Sequence, residues 1–196
     1  EMCIRDRPDS GILFDNMFFE SGDEIPTERF IQTRIEAEIA FCMKGPLAGE
    51  VTREEVLQAT DYVFPSLEIL DTRIFRKDEN TGKMRTVFDT ISDNAANAGV
   101  ISGVQKNDPQ KFDLRRVGSI VMRNNEVEET GLGAGVLNDP ITGIIWLVKR
   151  LSEYNQKISP GEIILSGSFI RPIEARKGDE FYADFGDFGF VECKFN

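Results

Sequence analysis

Glu36 and Glu38 stand one residue apart in the run Ile35-Glu36-Ala37-Glu38-Ile39. Side chains on a strand alternate faces, so the two glutamates would share one face and Ile35, Ala37 and Ile39 the other. Their α-carbons would then lie about 7 Å apart, twice the strand rise. Two carboxylates on one face can converge on a cation; without one they repel and raise each other's pKa. A third carboxylate, Glu68, is the only charge from Tyr62 to Leu70, a setting in which a buried Glu needs a partner. Three carboxylates make a hard, all-oxygen set suited to Mg²⁺ or Mn²⁺, with positions left for water and substrate. The same residues also suit a bland reading: an E-x-E is common on the solvated face of an antiparallel sheet, and Glu68 could pair with Arg73. Spacing alone leaves both open.

Composition narrows the chemistry further. The 196 residues contain no histidine, which removes Ser-His-Asp and Cys-His machinery and imidazole-built zinc sites within this chain. Net charge is −11 and no basic stripe is visible, which argues against nucleic-acid partners. An acidic protein does not attract a dianionic substrate through its overall field, so local cations, a bound divalent metal among them, would have to hold one. Cys3, Cys42 and Cys193 are few and isolated, as in a reducing cytoplasm. No apolar run approaches the roughly 20 residues of a membrane span, and no secretory signal is visible. The expectation is a cytoplasmic protein with no membrane partner.

The elements that must position these groups read as one β-rich α+β domain with one dominant helix. Residues 8–34 read as short strands and loops, and residues 35–43 and 61–70 as strands. Thr52-Arg53-Glu54-Glu55 is a capping box that starts a short helix to about Ala59. Residues 76–85 are charged and carry Asn80, Thr81 and Gly82, a surface loop; residues 93–99, rich in Asn, Ala and Gly, pack tightly. Asn124-Asn125 joins strands at 117–123 and 127–130 as a hairpin turn. Asn138-Asp139-Pro140 opens the main helix, expected to run to about Tyr154 with Ile141, Ile144, Ile145, Val148 and Leu151 on one face. Ser159-Pro160-Gly161 turns into a strand at 163–165, and residues 181–195 alternate around glycines as strands. Residues 1–7 lead into no element and match a translated sequencing adapter. The expectation is that they are non-native and that the natural N-terminal region is missing; the alternative is a charged natural terminus.

Several segments together resemble one family. They are Arg34 to Phe41, Ala59-Thr60-Asp61-Tyr62-Val63 with Leu67-Glu68, Val87 to Val100, Ile163 to Phe169 with Arg171-Pro172, and Asp15 to Phe19 with Ile25 to Phe30. The chain resembles the dienoate-hydratase branch of the fumarylacetoacetate hydrolase superfamily over residues 8–195. The resemblance implies that superfamily's C-terminal-like mixed β-sandwich or roll, and a homo-oligomer. It implies Mg²⁺ (or Mn²⁺) held by Glu36, Glu38 and Glu68, and an aspartate near the reacting carbons, matched by Asp9 in Pro8-Asp9-Ser10-Gly11. It also implies an active-site lysine in a segment upstream of residue 8.

The implied reaction is addition of water to a 2-oxo-hept-4-ene-1,7-dioate, a small dicarboxylate that is a 2-hydroxy-2,4-dienoate in its enol form. The product is 4-hydroxy-2-oxoheptanedioate, within aromatic (homoprotocatechuate) catabolism. Around that substrate Ser166 and Ser168 could hydrogen-bond a carboxylate or water, or simply form a strand bend. Asn94 could orient substrate or hold its loop, and Arg73 could neutralise a carboxylate or join a surface ion pair. The same resemblance leaves a 4-oxalocrotonate decarboxylase and an inactive metal-binding fragment as alternatives. A more distant acylpyruvate hydrolase is disfavoured by the lack of histidine.

Overall fold

The computed structural model describes residues 8–196; the expectations for residues 1–7 lie outside them. In chain order the elements are β1 (Phe18–Glu20), β2 (Glu24–Ile25), β3 (Arg34–Met43), α1 (Arg53–Ala59), β4 (Thr60–Leu70), α2 (Val87–Ser92) and β5 (Asn97–Ser102). There follow β6 (Gly118–Arg123), β7 (Glu126–Leu132), α3 (Pro140–Ser152), β8 (Ile163–Leu165), β9 (Ile173–Glu174), β10 (Glu180–Asp184) and β11 (Phe190–Phe195). One sheet runs β1-β5-β4-β3-β8, with β9 also on β3; the other runs β2-β11-β10-β6-β7. The β1–β5 and β2–β11 pairs are parallel and the rest antiparallel, so both sheets are mixed. This is the α+β, β-rich class that the patterning implies.

Alternation on β3 and β4 decides which face is core. Ile35, Ala37, Ile39, Leu67 and Ile69 are all 0% exposed, and they share one apolar core with Val121, Phe181, Ala183, Val191 and Phe195 of the second sheet. Each Val, Leu, Ile or Phe side chain among them contributes about 1.5–3 kcal/mol on burial. A one-residue slip of β3 would drive Glu36 and Glu38 into that core, so the register is strongly specified. The opposite face of β3 and β4 is left to carry the carboxylates.

The helices follow their caps. Thr52 accepts from Glu55 N at 3.3 Å, and Glu55 Oε2 accepts from Thr52 N at 2.7 Å, starting α1. Asp139 accepts from Ile141 N at 3.0 Å and starts α3, which buries Pro140, Ile141, Ile144 and Val148. That helix stops at Ser152 rather than Tyr154; Asn155, in a left-handed conformation (φ 55°), turns the chain away. Asn124 and Asn125 both have positive φ (54° and 66°), as a two-residue hairpin turn demands.

Two features go beyond the patterning. Helix α2 buries none of its residues, so it has no apolar stripe to read; its signal is the Thr86/Asp89 capping box. Residues 76–85 form more than a loop: Lys77 and Met84 bridge, and Arg85 N donates to Arg76 O at 2.9 Å, closing a hairpin. No helix among the described residues is long and apolar enough to cross a membrane.

Candidate metal centre

Register builds the centre. Glu36 lies directly opposite Glu68 across the β3–β4 ladder, and Glu38 opposite Ser66. One carboxylate oxygen from each of Glu36, Glu38 and Glu68 lies within 4.8 Å of the others. Like charges directly opposite on a ladder destabilise it. This face is not a solvated one either: Glu38 is 2% exposed, and Glu36 and Glu68 are half-buried. Burial first, then the charges of Glu68 and Asp9, push the Glu36 carboxyl well above the usual range, against a smaller pull from Arg34. Burial, then Glu68 and Glu36, do the same to Glu38. Burial lifts Glu68 to about 7, although hydrogen bonds with the Glu38 carboxyl and the Asn97 amide oppose it. Three buried carboxylates with so little compensating charge fit a hard dication, which would favour their ionised forms.

The surroundings hold the trio in place. Gly167 N donates to Glu38 Oε2 at 2.8 Å, and Gly167 has φ +103°, a conformation other residues rarely adopt. Asn97 Nδ2 donates to Glu68 Oε1 at 2.7 Å. The other end of that amide, Asn97 Oδ1, is buried with no hydrogen-bond partner among the described residues. An unsatisfied buried oxygen costs about 1–3 kcal/mol, and a cation or its water would satisfy it. Asn97 follows three left-handed residues, Asn94, Ala95 and Ala96 (φ 53°, 55° and 62°). For non-glycine residues that conformation costs about 1–2 kcal/mol each, and such strain collects at functional sites.

Asp9, Ser166 and Ser168 join the trio along one cleft; Asn94 and Arg73 do not line it. Burial raises the Asp9 carboxyl above its usual value, and Asp9 in turn acts on Glu36 and Glu68. Asn94 ties down the Asp9 segment instead: its Oδ1 accepts from Ile12 N at 2.7 Å and its Nδ2 donates to Ile12 O at 3.0 Å. Gly11 permits that approach, since a Cβ there would meet Asn94 O at 2.5 Å. Arg73 buttresses the strained turn, with Nε 2.6 Å from Asp93 Oδ1 and Nη2 donating to Asn97 O at 3.1 Å. It is an ion-pair residue behind the site, and the partner of Glu68 is Asn97. Ser168 Oγ donates to Ile170 O at 3.0 Å, as in a bend, while Ser166 N donates to Ile39 O at 3.2 Å and continues the pairing of β8 with β3; both serines border the cleft.

Asn97 and Gly167 are absent from the sequence-derived site residues. Asn94 and Asn97 look alike in the run Asn94-Ala95-Ala96-Asn97, and only the pairing of β5 with β4 places the second beside Glu68. Gly167 acts through its backbone, which no side-chain pattern reveals.

No family model matches the chain. Curated relatives do. The chain is 51% identical over 189 residues to 2-oxo-hept-4-ene-1,7-dioate hydratase of Escherichia coli, covering 96% of this chain and 71% of that protein. It is 37% identical over 191 residues to 2-keto-4-pentenoate hydratase of Paraburkholderia xenovorans (strain LB400), covering 97% and 69%. Among solved structures, 4-oxalocrotonate decarboxylase from Pseudomonas putida G7, complexed with magnesium and adipate, superposes with a TM-score of 0.87 at 30% identity. That match covers 95% of this chain and 69% of the decarboxylase chain.

Proposed function

The chain belongs to the 2-keto-4-pentenoate hydratase-like family of the fumarylacetoacetate hydrolase superfamily, and from that premise we propose that it is a Mg²⁺-dependent hydro-lyase acting on a 2-oxo-hept-4-ene-1,7-dioate. The product is 4-hydroxy-2-oxoheptanedioate, and the reaction belongs to aromatic catabolism by the homoprotocatechuate route. The observation that carries this reading is the convergence of Glu36, Glu38 and Glu68 on one buried point of the cleft. The decarboxylase relative that holds magnesium and adipate, a straight-chain diacid, supports it.

Glu36, Glu38 and Glu68 would hold Mg²⁺ (or Mn²⁺), and the ion would supply Lewis acidity toward the substrate's 1-carboxylate and 2-oxo oxygen. Glu38 is fixed by Gly167 N–H and Glu68 by the Asn97 amide, so two of the three ligands are oriented before substrate arrives. Asp9 is the proton-handling group on this chain. Its raised pKa suits delivery of a proton to carbon 5 of the dienol while the 2-hydroxyl loses its own, which gives the conjugated 3-enone. Asp9, now a carboxylate, takes a proton from the water whose oxygen bonds to carbon 4. Asp9 passes that proton on to carbon 3, which completes the 4-hydroxy-2-oxo acid; the proton shed by the 2-hydroxyl goes to solvent, and a solvent proton restores the Asp9 carboxyl for the next turnover. Asn94, through Ile12, keeps the Asp9 segment over the trio.

The second reading is decarboxylation of a 4-oxalocrotonate, favoured by the fold match at a TM-score of 0.87. The 51% identity to a hydratase against 31% to 4-oxalocrotonate decarboxylase of Pseudomonas sp. (strain CF600) favours hydration. The test is loss of dienoate absorbance with Mg²⁺, with product mass determined. A gain of one water supports the reading, and release of carbon dioxide without hydration overturns it.

A further inference from the structure

We infer that Arg34, Arg76 and Arg85 form the subsite for the substrate's second carboxylate, and that they make the enzyme selective for diacids over monoacids. This rests on the reading of the glutamate trio as the grip on the 2-oxo acid end.

Charge accounting singles these residues out. The protein has 34 acidic residues against 23 basic ones, so a basic side chain has ample choice of partner. Nine ion pairs form among the described residues, and none includes Arg34, Arg76 or Arg85. All three are half-buried, and all three line the cleft that holds the trio. Arg34 acts at longer range on Glu36 and Glu174, and Arg85 on Asp89, but none of the three forms an ion pair among the described residues, so each half-buried guanidinium is only partly compensated. Three in one cleft of an acidic protein are a site built for an anion.

Geometry puts them where the far end of the substrate would be. Arg34 precedes Glu36 by two residues on the same face of β3, about 7 Å along the strand, a distance on the order of an extended seven-carbon diacid. Arg76 and Arg85 face each other across the base of their hairpin, with Arg85 N donating to Arg76 O at 2.9 Å. Arg76 Nη2 and Arg85 Nη1 both donate to Thr72 Oγ1, at 3.5 and 3.1 Å, and Arg76 Nε donates to Gln32 Oε1 at 2.9 Å. These neutral oxygens hold the heads in place without neutralising them. A guanidinium has five N–H donors, so most donors remain unspent. The crowding is felt: burial, then the charges of Arg34 and Arg85, lower the Arg76 pKa, with Glu174 opposing. Glu174 is itself paired with Arg176 at 3.0 Å. A planar carboxylate accepting from two guanidinium groups relieves the repulsion, and a substrate that lacks it leaves the cations unpaired, which is how such a site discriminates.

The test is calorimetric titration of the Mg²⁺-loaded protein with two unreactive 2-oxo acids of equal length, 2-oxoadipate and 2-oxohexanoate. Wild type should bind the diacid about 10- to 100-fold more tightly, the range expected of charge-assisted hydrogen bonds. The double variant Arg76→Gln/Arg85→Gln should lose most of that preference. Equal binding of the two acids by wild type, or a preference undiminished in the variant, overturns the inference while leaving the metal reading intact. Failure of both acids to bind wild type defeats the metal reading, and the subsite with it. If the double variant does not fold, Arg85→Gln alone decides by the same ratio.

Discussion

Replacing Glu68 with Gln should make the metal-free protein more stable at alkaline pH and remove its stabilisation by Mg²⁺. Folding raises the Glu68 pKa from 4.5 to about 7, chiefly by burial. Between those values the folded state binds more protons than the unfolded one, so stability falls as pH rises through the window. Above it, the ionised carboxylate costs about 3 kcal/mol. Glutamine keeps the acceptor that Asn97 Nδ2 reaches at 2.7 Å and discards the charge. For a domain of this size 1 kcal/mol moves Tm by about 2–4 °C, so the variant should melt about 6–12 °C higher than wild type at pH 8 in EDTA. The two should nearly coincide at pH 4, where both side chains are neutral. Adding Mg²⁺ at a hundredfold excess over its Kd should return about 2.7 kcal/mol to wild type and far less to the variant. Thermal denaturation from pH 4 to 8, with EDTA and with Mg²⁺, reads all of this. A lower Tm for the variant at pH 8 in EDTA would refute the reasoning, because it would mean the charge is compensated without an ion.

Three further outcomes are expected. Asp9→Asn should lower kcat about 10²- to 10⁴-fold while leaving Mg²⁺ affinity close to that of wild type; steady-state assays on a dienoate with parallel metal titration would show it, and undiminished turnover would remove Asp9 from proton transfer. Gly167→Ala introduces a Cβ 3.3 Å from Val136 Cγ1 at φ +103°; it should cost about 1–2 kcal/mol of stability and weaken Mg²⁺ binding by displacing the N–H that fixes Glu38, both measurable by denaturation and calorimetry. Ala95→Gly relieves a left-handed alanine (φ 55°) and should stabilise by up to about 1 kcal/mol; a clear loss in a urea titration would show that the turn stores no strain.

The sequence exposed the parts of the centre that lie along the chain. Strand alternation gave Glu36 and Glu38 a common face, and the capping residues Thr52 and Asp139 marked α1 and α3, because these signals are local and periodic. What joins Glu68 to the pair is the β3–β4 register, and what joins Asn97 to Glu68 is the β4–β5 register; neither is written in any one segment. Family resemblance supplied the first of these links and missed the second. For Arg73 the sequence left a substrate carboxylate and a surface ion pair both open, because its charge is visible there whereas its partner, Asp93, is not. Arg34, Arg76 and Arg85 are the converse, ordinary surface residues by type that form no ion pair among the described residues. Helix α2 and the hairpin at 76–85 escaped notice because neither buries an apolar stripe.

The central claim is that three glutamates gather one hard dication that receives a 2-oxo acid. Titration with Mn²⁺, followed by electron paramagnetic resonance, tests it most directly. One tightly bound ion per chain is expected in wild type, with its spectrum altered by oxalate, and loss of that ion in Glu36→Ala and in Glu38→Ala. Mn²⁺ binding by both variants at wild-type affinity would contradict the account.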